Sequence, residues 1–520
     1  MATATGPRKA KTDLNANAPS RAEHLNFAAL PASKHGMTIA IRQLLLLAPL
    51  AMAACVPGSV ARKSQPWLDA SEARAITTAT RQTEPQIRGI WQSRGYGRIL
   101  DIGTHGVTQY EIGATCYETP RSAESFSEMD SISYRYYRLL PGGRSAIFQL
   151  LRGDTNVVFD RLDALPEDCR RPPVVTPGAV ADAFLDAFER HYAFFDRRPP
   201  DHAPRAARVR SRIAPDMSEA QLWDALASYM DGLSDSHTKL IGEVAAPGRD
   251  SSERRRVQDG QGATLPRMRA TQGGESAWLV ALIEQTLARL GDSAHQAGRE
   301  RIVWGMLDGR TGYVQIFQMG GFTDREDFGS DAWAEAELAE FDRIMDEAFA
   351  AFGAAGAKAV ILDLSNNRGG WDRIAKAVAG RFTDRPYTGY TTVARGSGLA
   401  PFEHVIEPAD GPRFAGPVYL LTSDVTVSGG ELATLALRQN PRVTQLGGTT
   451  RGAFSTPLAK RLPNGWLLEL SNEVFAAPDG SIYEEAGLAP QVPFEVYPAN
   501  APVAGHQAAI ERMLALIEGE

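Results

Sequence analysis

Ser428 is the residue whose setting best suits covalent chemistry. It lies between a short apolar run at residues 418–421 and a helical pattern that begins at Glu431. Gly429 and Gly430 follow it directly, so open space surrounds its hydroxyl and the next backbone amides point out of the helix start. A serine in this position can act as a nucleophile whose neighbouring N–H groups stabilise an oxyanion. The same four residues also form the S-x-x-E capping box of an ordinary helix start.

A serine hydroxyl needs an adjacent base, and imidazole suits this role because its pKa lies near neutral pH. His237 stands in the stretch LSDSHT, just after a predicted helix over residues 218–233. A histidine at a helix end can equally cap the last carbonyl groups or pair with a nearby acid such as Asp235. The residue types therefore permit a serine–histidine pair without requiring one.

The segment around Ser428 alternates strands and helices, which indicates a layered α/β core over residues 301–498. The apolar run at 357–364 is nearly continuous, as expected for a strand covered on both faces. A C-terminal helix is expected within 499–520. The expected core strands are 311–316 and 357–364, and the expected helices are 331–351, 372–382 and 504–517.

Two further regions precede this core. Residues 85–172 are expected to form a small β-rich domain, with strands near 87–91, 97–102, 107–112 and 145–151. Residues 173–300 are expected to form a helical domain with helices at 180–192, 218–233 and 278–290 and a polar, solvated loop at 242–275. Cys116 and Cys169 both lie in the β-rich domain, where a disulfide is expected if the protein is exported, although both could stay free.

The N-terminal region has the pattern of an export signal. Residues 1–36 are polar and form an upstream or disordered segment, and residues 37–55 place Arg42 before an apolar run and small residues. Cys55 ends a stretch that resembles a bacterial lipoprotein box, while ordinary signal cleavage just before it is an equal alternative. Residues 56–84 are a linker. This pattern predicts a periplasmic or cell-envelope protein, with lipid attachment through Cys55 as one alternative.

The composition excludes several functional classes. The chain has 520 residues and a formal net charge of -7. This charge gives no indication of a nucleic-acid partner, since a nucleic-acid binder normally shows a basic face. Three cysteines give neither a disulfide-stapled scaffold nor a CxxC metal pair. Since P-loop and GxGxxG motifs are also missing from the sequence, no cofactor or metal is expected. The sequence does not indicate an oligomeric state.

Residues 301–498 resemble the serine peptidases of the tail-specific (C-terminal processing) and tricorn-core superfamily, which have a crotonase-like ββα fold. The motifs that carry the resemblance, in chain order, are GYV at 312–314, ILDLSNNRGG at 361–370, SGGE at 428–431, LGGTT at 446–450 and YEEAGLAP at 483–490. Ser365 replaces an arginine of the family signature, and Gly448 replaces a glutamate. Neither departure removes a proposed catalytic group.

The departures from the pattern indicate which branch the chain resembles. The register in which the bacterial tail-specific branch carries a lysine base falls on Ala453, so that serine–lysine dyad is missing from the sequence. The stretch LSDSHT is similar to the segment that carries a serine and a histidine in the tricorn-like branch. The resemblance then implies a catalytic tetrad of Ser236, His237, Ser428 and Glu484.

Elementary chemistry assigns a role to each member of this tetrad. His237 would take the proton of Ser428 and later protonate the leaving amine. Its other ring nitrogen needs an orienting partner, either Ser236 or Glu484 acting through a hydroxyl relay. Glu484 lies beside Glu485 shortly after a turn, and a solvent-exposed acid is the alternative interpretation.

The oxyanion hole is expected to combine an N–H of Gly369 or Gly370 with that of Gly429. These features favour an exported serine peptidase that acts on peptides or unfolded proteins. A non-catalytic protein that binds peptides or apolar ligands on the same scaffold is the alternative. An acyl-CoA enzyme of crotonase type shares the fold, but the export signal and the aligned serine motif disfavour it.

Overall fold

The computed structural model describes residues 72–78, 80–121, 133–198, 201–246, 249–258 and 260–519. The expected upstream segment 1–36 and signal peptide 37–55, with Cys55, lie outside the described residues, as does most of the linker 56–84. Residues 61–520 group into one compact unit. None of the helices in the described ranges is both long and apolar enough to span a bilayer.

The N-terminal part forms an 8-stranded antiparallel sheet in the order β1-β6-β7-β8-β2-β3-β4-β5. Its strands are β1 (Arg74–Ala75), β2 (Gly89–Ser93), β3 (Arg98–Ile102), β4 (Val107–Ile112), β5 (Cys116–Glu118), β6 (Tyr136–Leu139), β7 (Ser145–Gln149) and β8 (Val157–Leu162). Trp91, Phe148 and Phe159 are fully buried on one face. The predicted β-rich character of this region is confirmed.

The disulfide expected in this sheet is confirmed. Cys116 and Cys169 are bonded, and their Cα atoms lie 4.6 Å apart. Cys169 is buried beside Ile99 and Tyr110, so the bridge ties the start of β5 to the chain that leaves the sheet. Closing a loop of this length stabilises a fold by about 2–4 kcal/mol in the usual chain-entropy account.

The next region contains α1 (Pro177–His191), α2 (His202–Arg210), α3 (Glu219–Ala227), β9 (Lys239–Ala246), β10 (Arg249–Val257), α4 (Thr264–Arg269) and α5 (Gly274–Leu290). The polar loop predicted at 242–275 is wrong, because most of it is a β-hairpin followed by α4. The error arises because β10 is an edge strand paired only with β9. Edge strands are commonly rich in charge, and so they lack the apolar alternation that identifies a strand in sequence.

The core that follows contains β11 (His295–Ala297), β12 (Ile302–Met306), β13 (Thr311–Ile316), α6 (Asp331–Ala355), β14 (Ala359–Asp363), α7 (Asp372–Gly380), β15 (Tyr387–Ala394), β16 (Phe402–Ile406), β17 (Val418–Thr422), α8 (Gly429–Leu437), β18 (Val443–Gly447), β19 (Pro457–Arg461), β20 (Leu467–Ser471), β21 (Glu473–Ala476), β22 (Val492–Pro493) and α9 (Pro502–Gly519). Its main sheet has the order β11-β12-β13-β14-β17-β18-β22. Pairing is parallel from β13 to β22.

Helices cover both faces of this main sheet. Alternate residues of β14 and β17, such as Leu362 and Leu420, pack with α6, α7 and α8. Their neighbours, such as Ile361 and Leu421, pack with α5 and α9. Burial on both faces explains the continuous apolar runs of these strands. The predicted α/β class, with a layered core after an N-terminal β-rich part, is confirmed.

The N-terminal sheet and the hairpin β9–β10 are fastened to the core by strand pairing and hydrogen bonds. Strand β9 pairs with β20, which gives a 4-stranded sheet in the order β10-β9-β20-β19. The Tyr96 hydroxyl donates to Glu473 at 2.5 Å, and the Tyr117 hydroxyl donates to the carbonyl of Arg461 at 2.9 Å. These contacts bring the N-terminal sheet over the carboxyl ends of the core strands.

Candidate active site

Ser428 lies at the turn from β17 into α8, at the carboxyl end of a parallel strand. Its φ is 54° and its ψ is -119°, a conformation that residues with a side chain rarely adopt. Such strain costs about 1–3 kcal/mol and persists only where the surroundings enforce it, often at functional sites. Strained strand-to-helix turns also present the nucleophilic serines of α/β-hydrolases.

The carboxylate of Glu431 holds this turn in place. It accepts hydrogen bonds from the amide of Ser428 at 3.2 Å, the hydroxyl of Thr450 at 2.6 Å and the amides of Gly452 at 2.6 Å and Ala453 at 2.8 Å. The amide of Ser428 also donates to the carbonyl of Ala453 at 3.1 Å. Burial raises the pKa of Glu431, and these donors oppose the rise. The glutamate of the S-x-x-E motif therefore joins the serine turn to the neighbouring loop as well as to the helix.

Gly369 and Gly370 follow β14, the strand beside β17, and therefore reach the same edge of the sheet as Ser428. A Cβ on Gly369, whose φ is +80°, would lie 2.7 Å from the Cβ of Ser428, so only glycine fits there. The amide of Gly369 donates to the side chain of Asn367 at 2.9 Å, which leaves Gly369 unsuited as an oxyanion donor.

The amides of Gly370 and Gly429 remain as candidate donors. Neither amide donates a hydrogen bond within the described residues. The two backbones are close, because a Cβ on Gly429 would lie 3.1 Å from the amide nitrogen of Gly370. Two free N–H groups beside a serine hydroxyl can stabilise the negative charge of a tetrahedral intermediate.

Ser236 and His237 lie between α3 and β9, and they line the same cavity as Ser428. The Asp235 carboxylate fixes this segment, since it accepts from the backbone amide of His237 at 2.9 Å and from the hydroxyl of Thr238 at 3.1 Å. Within the described residues, Oγ of Ser236 and Nδ1 of His237 are buried without hydrogen-bond partners. The structure therefore brings these groups to one cavity, although hydrogen bonds do not yet connect them.

The surroundings of His237 keep its imidazole neutral. Burial lowers the pKa of His237 to about 4. Asp235 opposes this shift, whereas the charges of Lys239 and Arg198 add to it. Burial would raise the pKa of Asp235, but the charge of Arg198 and the hydrogen bond from the backbone amide of His237 act in the opposite direction, and the pKa is lowered. A neutral imidazole beside an ionised carboxylate is the protonation state that a general base requires.

Glu484 is buried, with 1% of its surface exposed, which excludes the exposed-acid interpretation. Its Oε1 accepts from Arg198 at 2.8 Å, and its Oε2 accepts from the amides of Phe454 at 2.9 Å and Ser455 at 3.2 Å. Burial raises its pKa to about 8, although Arg198 opposes the shift. Among the hydrogen bonds of the described chain, none joins Glu484 to Ser236, so the expected direct approach of these two groups is not observed.

Arg198 is the central residue of this side of the site, and sequence patterns did not indicate it. Its side chain is 1% exposed. It donates to Glu484 and to the carbonyls of Ser234 and Gly452, and it pairs with Glu485 at 2.5 Å. Arg198 therefore connects the segment before His237 with the loop that contacts Ser428. It lies in a run of arginine and proline residues that resembles an exposed turn, so only its burial reveals its role.

The cavity that contains Ser428 and His237 has a volume of about 760 Å³. Its walls come from the core, from the segment before β9 and from the N-terminal sheet, which contributes Tyr96, Tyr134 and Asp154. Trp371 lines it as well and packs against Trp333 at a centroid distance of 5.3 Å. A cavity of this size accommodates several residues of an extended peptide.

Residues 310–494 match the family model described as peptidase family S41. No curated protein matches the chain. Among solved structures, the chain is similar to a candidate peptidase from Parabacteroides merdae ATCC 43184, with 21% identity and a TM-score of 0.50. This similarity covers 66% of this chain and 97% of that chain.

Two more distant structures are also similar. One is a photosystem II D1 C-terminal processing protease, with 13% identity, a TM-score of 0.38 and coverage of 64% of this chain and 97% of that chain. The other is the tricorn protease, with 14% identity, a TM-score of 0.38 and coverage of 81% of this chain and 45% of that chain.

Proposed function

Since the chain carries a serine-type peptidase domain of family S41 at residues 310–494, we propose that it hydrolyses peptides or unfolded proteins through an acyl-enzyme on Ser428. The observation that carries this proposal is the strained Ser428 turn, which shares a cavity with a neutral imidazole. A base that is uncharged at neutral pH can accept the hydroxyl proton.

The reaction then follows from these groups. His237 removes the proton from Oγ of Ser428 while Oγ bonds to the carbonyl carbon of the substrate. The amides of Gly370 and Gly429 stabilise the oxyanion. When the C–N bond breaks, His237 returns the proton to the leaving amine. Water, deprotonated by His237, then attacks the ester carbonyl carbon. When the bond from this carbon to Oγ breaks, His237 returns the proton to Oγ of Ser428 and the second product leaves with a free carboxyl group.

Ser236 and Glu484 support the base in different ways. Oγ of Ser236 and Nδ1 of His237 both lack partners among the described residues, so a small rotation that joins them would orient the imidazole. Glu484 acts at a distance, because it holds Arg198 on one side and the amide of Phe454 on the other. We therefore place Glu484 as a positioning residue of the proposed tetrad.

A fluorophosphonate probe tests the central claim. We expect the probe to label the parent protein at Ser428, to leave Ser428→Ala unlabelled, and to label Ser211→Ala normally because Ser211 is exposed outside the cavity. Peptide mapping by mass spectrometry identifies the labelled residue. A folded parent that is labelled elsewhere or not at all would contradict the proposal and favour a non-catalytic binding protein for peptides or apolar ligands.

We place the protein in the periplasm or cell envelope. The signal-like pattern at residues 37–55 supports export, and the Cys116–Cys169 disulfide supports an oxidising compartment independently. Mass spectrometry of the mature N-terminus distinguishes cleavage before Ala54 from a lipidated Cys55. An intact residue Met37 in envelope material would contradict export by this signal.

A further inference from the structure

Four carboxyl groups that the proposed mechanism does not use line the cavity, together with several basic side chains: Asp154, Asp372, Glu469 and Glu473. Glu469 pairs with Lys239 at 2.7 Å, which leaves Asp154, Asp372 and Glu473. They belong to separate parts of the fold, since Asp154 lies between β7 and β8, Asp372 begins α7 and Glu473 begins β21. The charge of Asp372 acts on Asp154, and the charges of both act on Glu473. The fold therefore gathers three acids that sequence separates widely.

Two of these acids present oxygen atoms without partners. Glu473 is 2% exposed, and its Oε1 accepts from Tyr96 at 2.5 Å while its Oε2 has no partner among the described residues. Asp372 pairs through Oδ2 with Lys376 at 3.1 Å, and within the same residues its Oδ1 has no hydrogen-bond partner. A buried, unpartnered acceptor is costly, so a donor that arrives with a ligand would be favoured.

Short chain segments connect Glu473 to the nucleophile. The amide of Ser428 donates to the carbonyl of Ala453. Two residues later, the hydroxyl of Ser455 accepts from the amide of Glu473 at 3.0 Å. Two extended residues span at most about 7 Å, so Glu473 begins close to the serine turn.

Asp372 is equally close along the chain. It follows Gly370 by two residues, and a Cβ on Gly429 would lie 2.7 Å from the carbonyl oxygen of Gly370. Both core acids therefore stand only a few residues from backbone that contacts the serine turn, and the long, flexible stem of a basic side chain suits a subsite beside that turn. Within the described residues no group of His, Cys, Asp or Glu side chains is arranged to hold a metal ion, which leaves an organic cation as the fitting ligand.

We propose that Asp154, Asp372 and Glu473 form an acidic subsite that binds a lysine or arginine side chain next to the scissile bond of the substrate. This inference rests on the proposed peptidase function. Ammonium and guanidinium groups supply several N–H donors, which match the free oxygens of Glu473 and Asp372. Since Asp154 comes from the N-terminal sheet, the subsite assigns that sheet a role in substrate selection.

The raised pKa values of Asp154 and Glu473 are consistent with a subsite that binds a positively charged side chain. Burial raises the pKa of Asp154 to about 7, and Asp372 adds to the rise. Burial likewise raises the pKa of Glu473 to about 7. These raised pKa values leave both groups partly protonated at neutral pH, and a bound cation would favour their ionised forms.

Cleavage-site profiling with a mixed peptide library tests the preference directly. We expect cleavage by the parent to be enriched next to lysine and arginine. Two peptides that differ only in having lysine or norleucine next to the scissile bond then measure how much the subsite contributes to kcat/KM. With Glu473→Gln or Asp154→Asn, kcat/KM for the lysine peptide should fall about 10- to 100-fold, as expected for the loss of a charged hydrogen bond. The norleucine peptide should change less than about threefold.

The control is Glu407→Gln, which alters an exposed acid that does not line the cavity and should leave both peptides unaffected. Thermal unfolding of each variant identifies a loss that comes from misfolding, and Asp154→Asn provides a second variant if Glu473→Gln is unstable. Efficient cleavage by the parent without preference for basic residues would overturn the subsite while the peptidase function stands.

Binding to Ser428→Ala separates the two proposals. The subsite predicts that this variant binds the lysine peptide at least tenfold more tightly than the norleucine peptide, as measured by calorimetry, which is about 1.4 kcal/mol. A binding preference in a protein whose parent never cleaves peptides would support the subsite and contradict the peptidase function. Equal binding of both peptides would overturn the subsite.

Discussion

The two sides of the proposed active site differ in how completely their polar groups are satisfied. On the nucleophile side, the Glu431 carboxylate accepts four hydrogen bonds from Ser428 and the loop at residues 450–453. On the base side, Nδ1 of His237 and Oγ of Ser236 are both buried without partners among the described residues. The serine turn is thus completed before substrate binds, whereas the base is held only through its backbone.

This difference suggests where the last adjustment of the site takes place. Catalytic hydrogen bonds are often long or missing without substrate and tighten in the complex. The serine turn cannot move easily, since its strained backbone is fixed by Glu431 and pressed against Gly369. The imidazole of His237 has the freedom to complete the arrangement, while Arg198 and Asp235 limit how far its segment can move.

The largest effect should come from removing either reacting group. Ser428→Ala and His237→Ala should each lower kcat by about four to six orders of magnitude, and the double variant should lose little more, because such groups act as a unit. Single-turnover hydrolysis of a peptide measures both. If His237→Ala kept most of its activity, the base side would have been assigned to the wrong residue. Ala453→Lys should not rescue His237→Ala, since the fold does not place a lysine base at that position.

The next largest effect, on the free energy of unfolding, should come from replacing Arg198, which holds the segment before His237 in place. Arg198→Met leaves the buried carboxyl groups of Asp235 and Glu484 without their cation, and breaking such a buried pair costs about 3–5 kcal/mol of unfolding free energy. Urea unfolding followed by circular dichroism measures the loss.

The matched control for Arg198→Met is Arg343→Met. Arg343 also pairs with two carboxylates, Glu340 and Glu347, but its side chain is 49% exposed. Solvent screens such pairs, so this change should cost about 1 kcal/mol or less. Equal losses in the two variants would show that Arg198 is not a buried anchor.

A smaller effect on stability is expected when the nucleophile side is loosened. Glu431→Gln keeps the shape of the side chain but turns one acceptor into a donor, so at least one of its four hydrogen-bond donors loses its partner. The expected cost is about 1–3 kcal/mol, together with slower labelling of Ser428 by the fluorophosphonate probe. Glu335→Gln, at an exposed position of α6, is the control. Unchanged labelling in Glu431→Gln would mean that the turn does not depend on this carboxylate.

The nucleophile side could be predicted from sequence because all its parts are local or lie in motifs. The strand at 418–422, the glycines after Ser428 and the motif ending in Gly370 each carry a recognisable pattern. The similarity of residues 310–494 to peptidase family S41 and the fold class were therefore predicted correctly. The assignment of Gly369 as a donor was less accurate, because the competing acceptor, Asn367, becomes apparent only once the turn is folded.

The base side depends on long-range contacts that leave no local pattern. Arg198 meets Glu484 across a sequence separation of 286 residues. Glu484 stands in a recognisable motif, but Arg198 does not, so no sequence pattern indicates that the two are buried together. The same holds for Tyr96 and Glu473, which are separated by 377 residues. The hairpin β9–β10 was missed for a related reason, since a charged edge strand has no apolar alternation.

The smallest predicted effect is a shift in the pH dependence of kcat/KM. It tests most directly whether the imidazole of His237 is buried and neutral. Only neutral His237 can act as a base, and its pKa is lowered from 6.5 to about 4, chiefly by burial. The parent should therefore keep kcat/KM constant as pH falls below 6.5 and lose it only near pH 4. The free energy of unfolding should decline as pH falls from 6.5 to about 4. In this range the unfolded chain binds a proton on His237 that the folded chain does not bind.

Asp235→Asn removes a charge that raises the pKa of His237, so the acid limb of the profile should move to lower pH by about one unit. Lys239→Met removes a charge that lowers this pKa and should move the limb the opposite way. Asp384→Asn, at an exposed position, should not move it. An acid limb near pH 6.5 in the parent would mean that solvent reaches the imidazole freely. In that case the contrast between a fixed nucleophile and an enclosed, unpartnered base would not hold in solution.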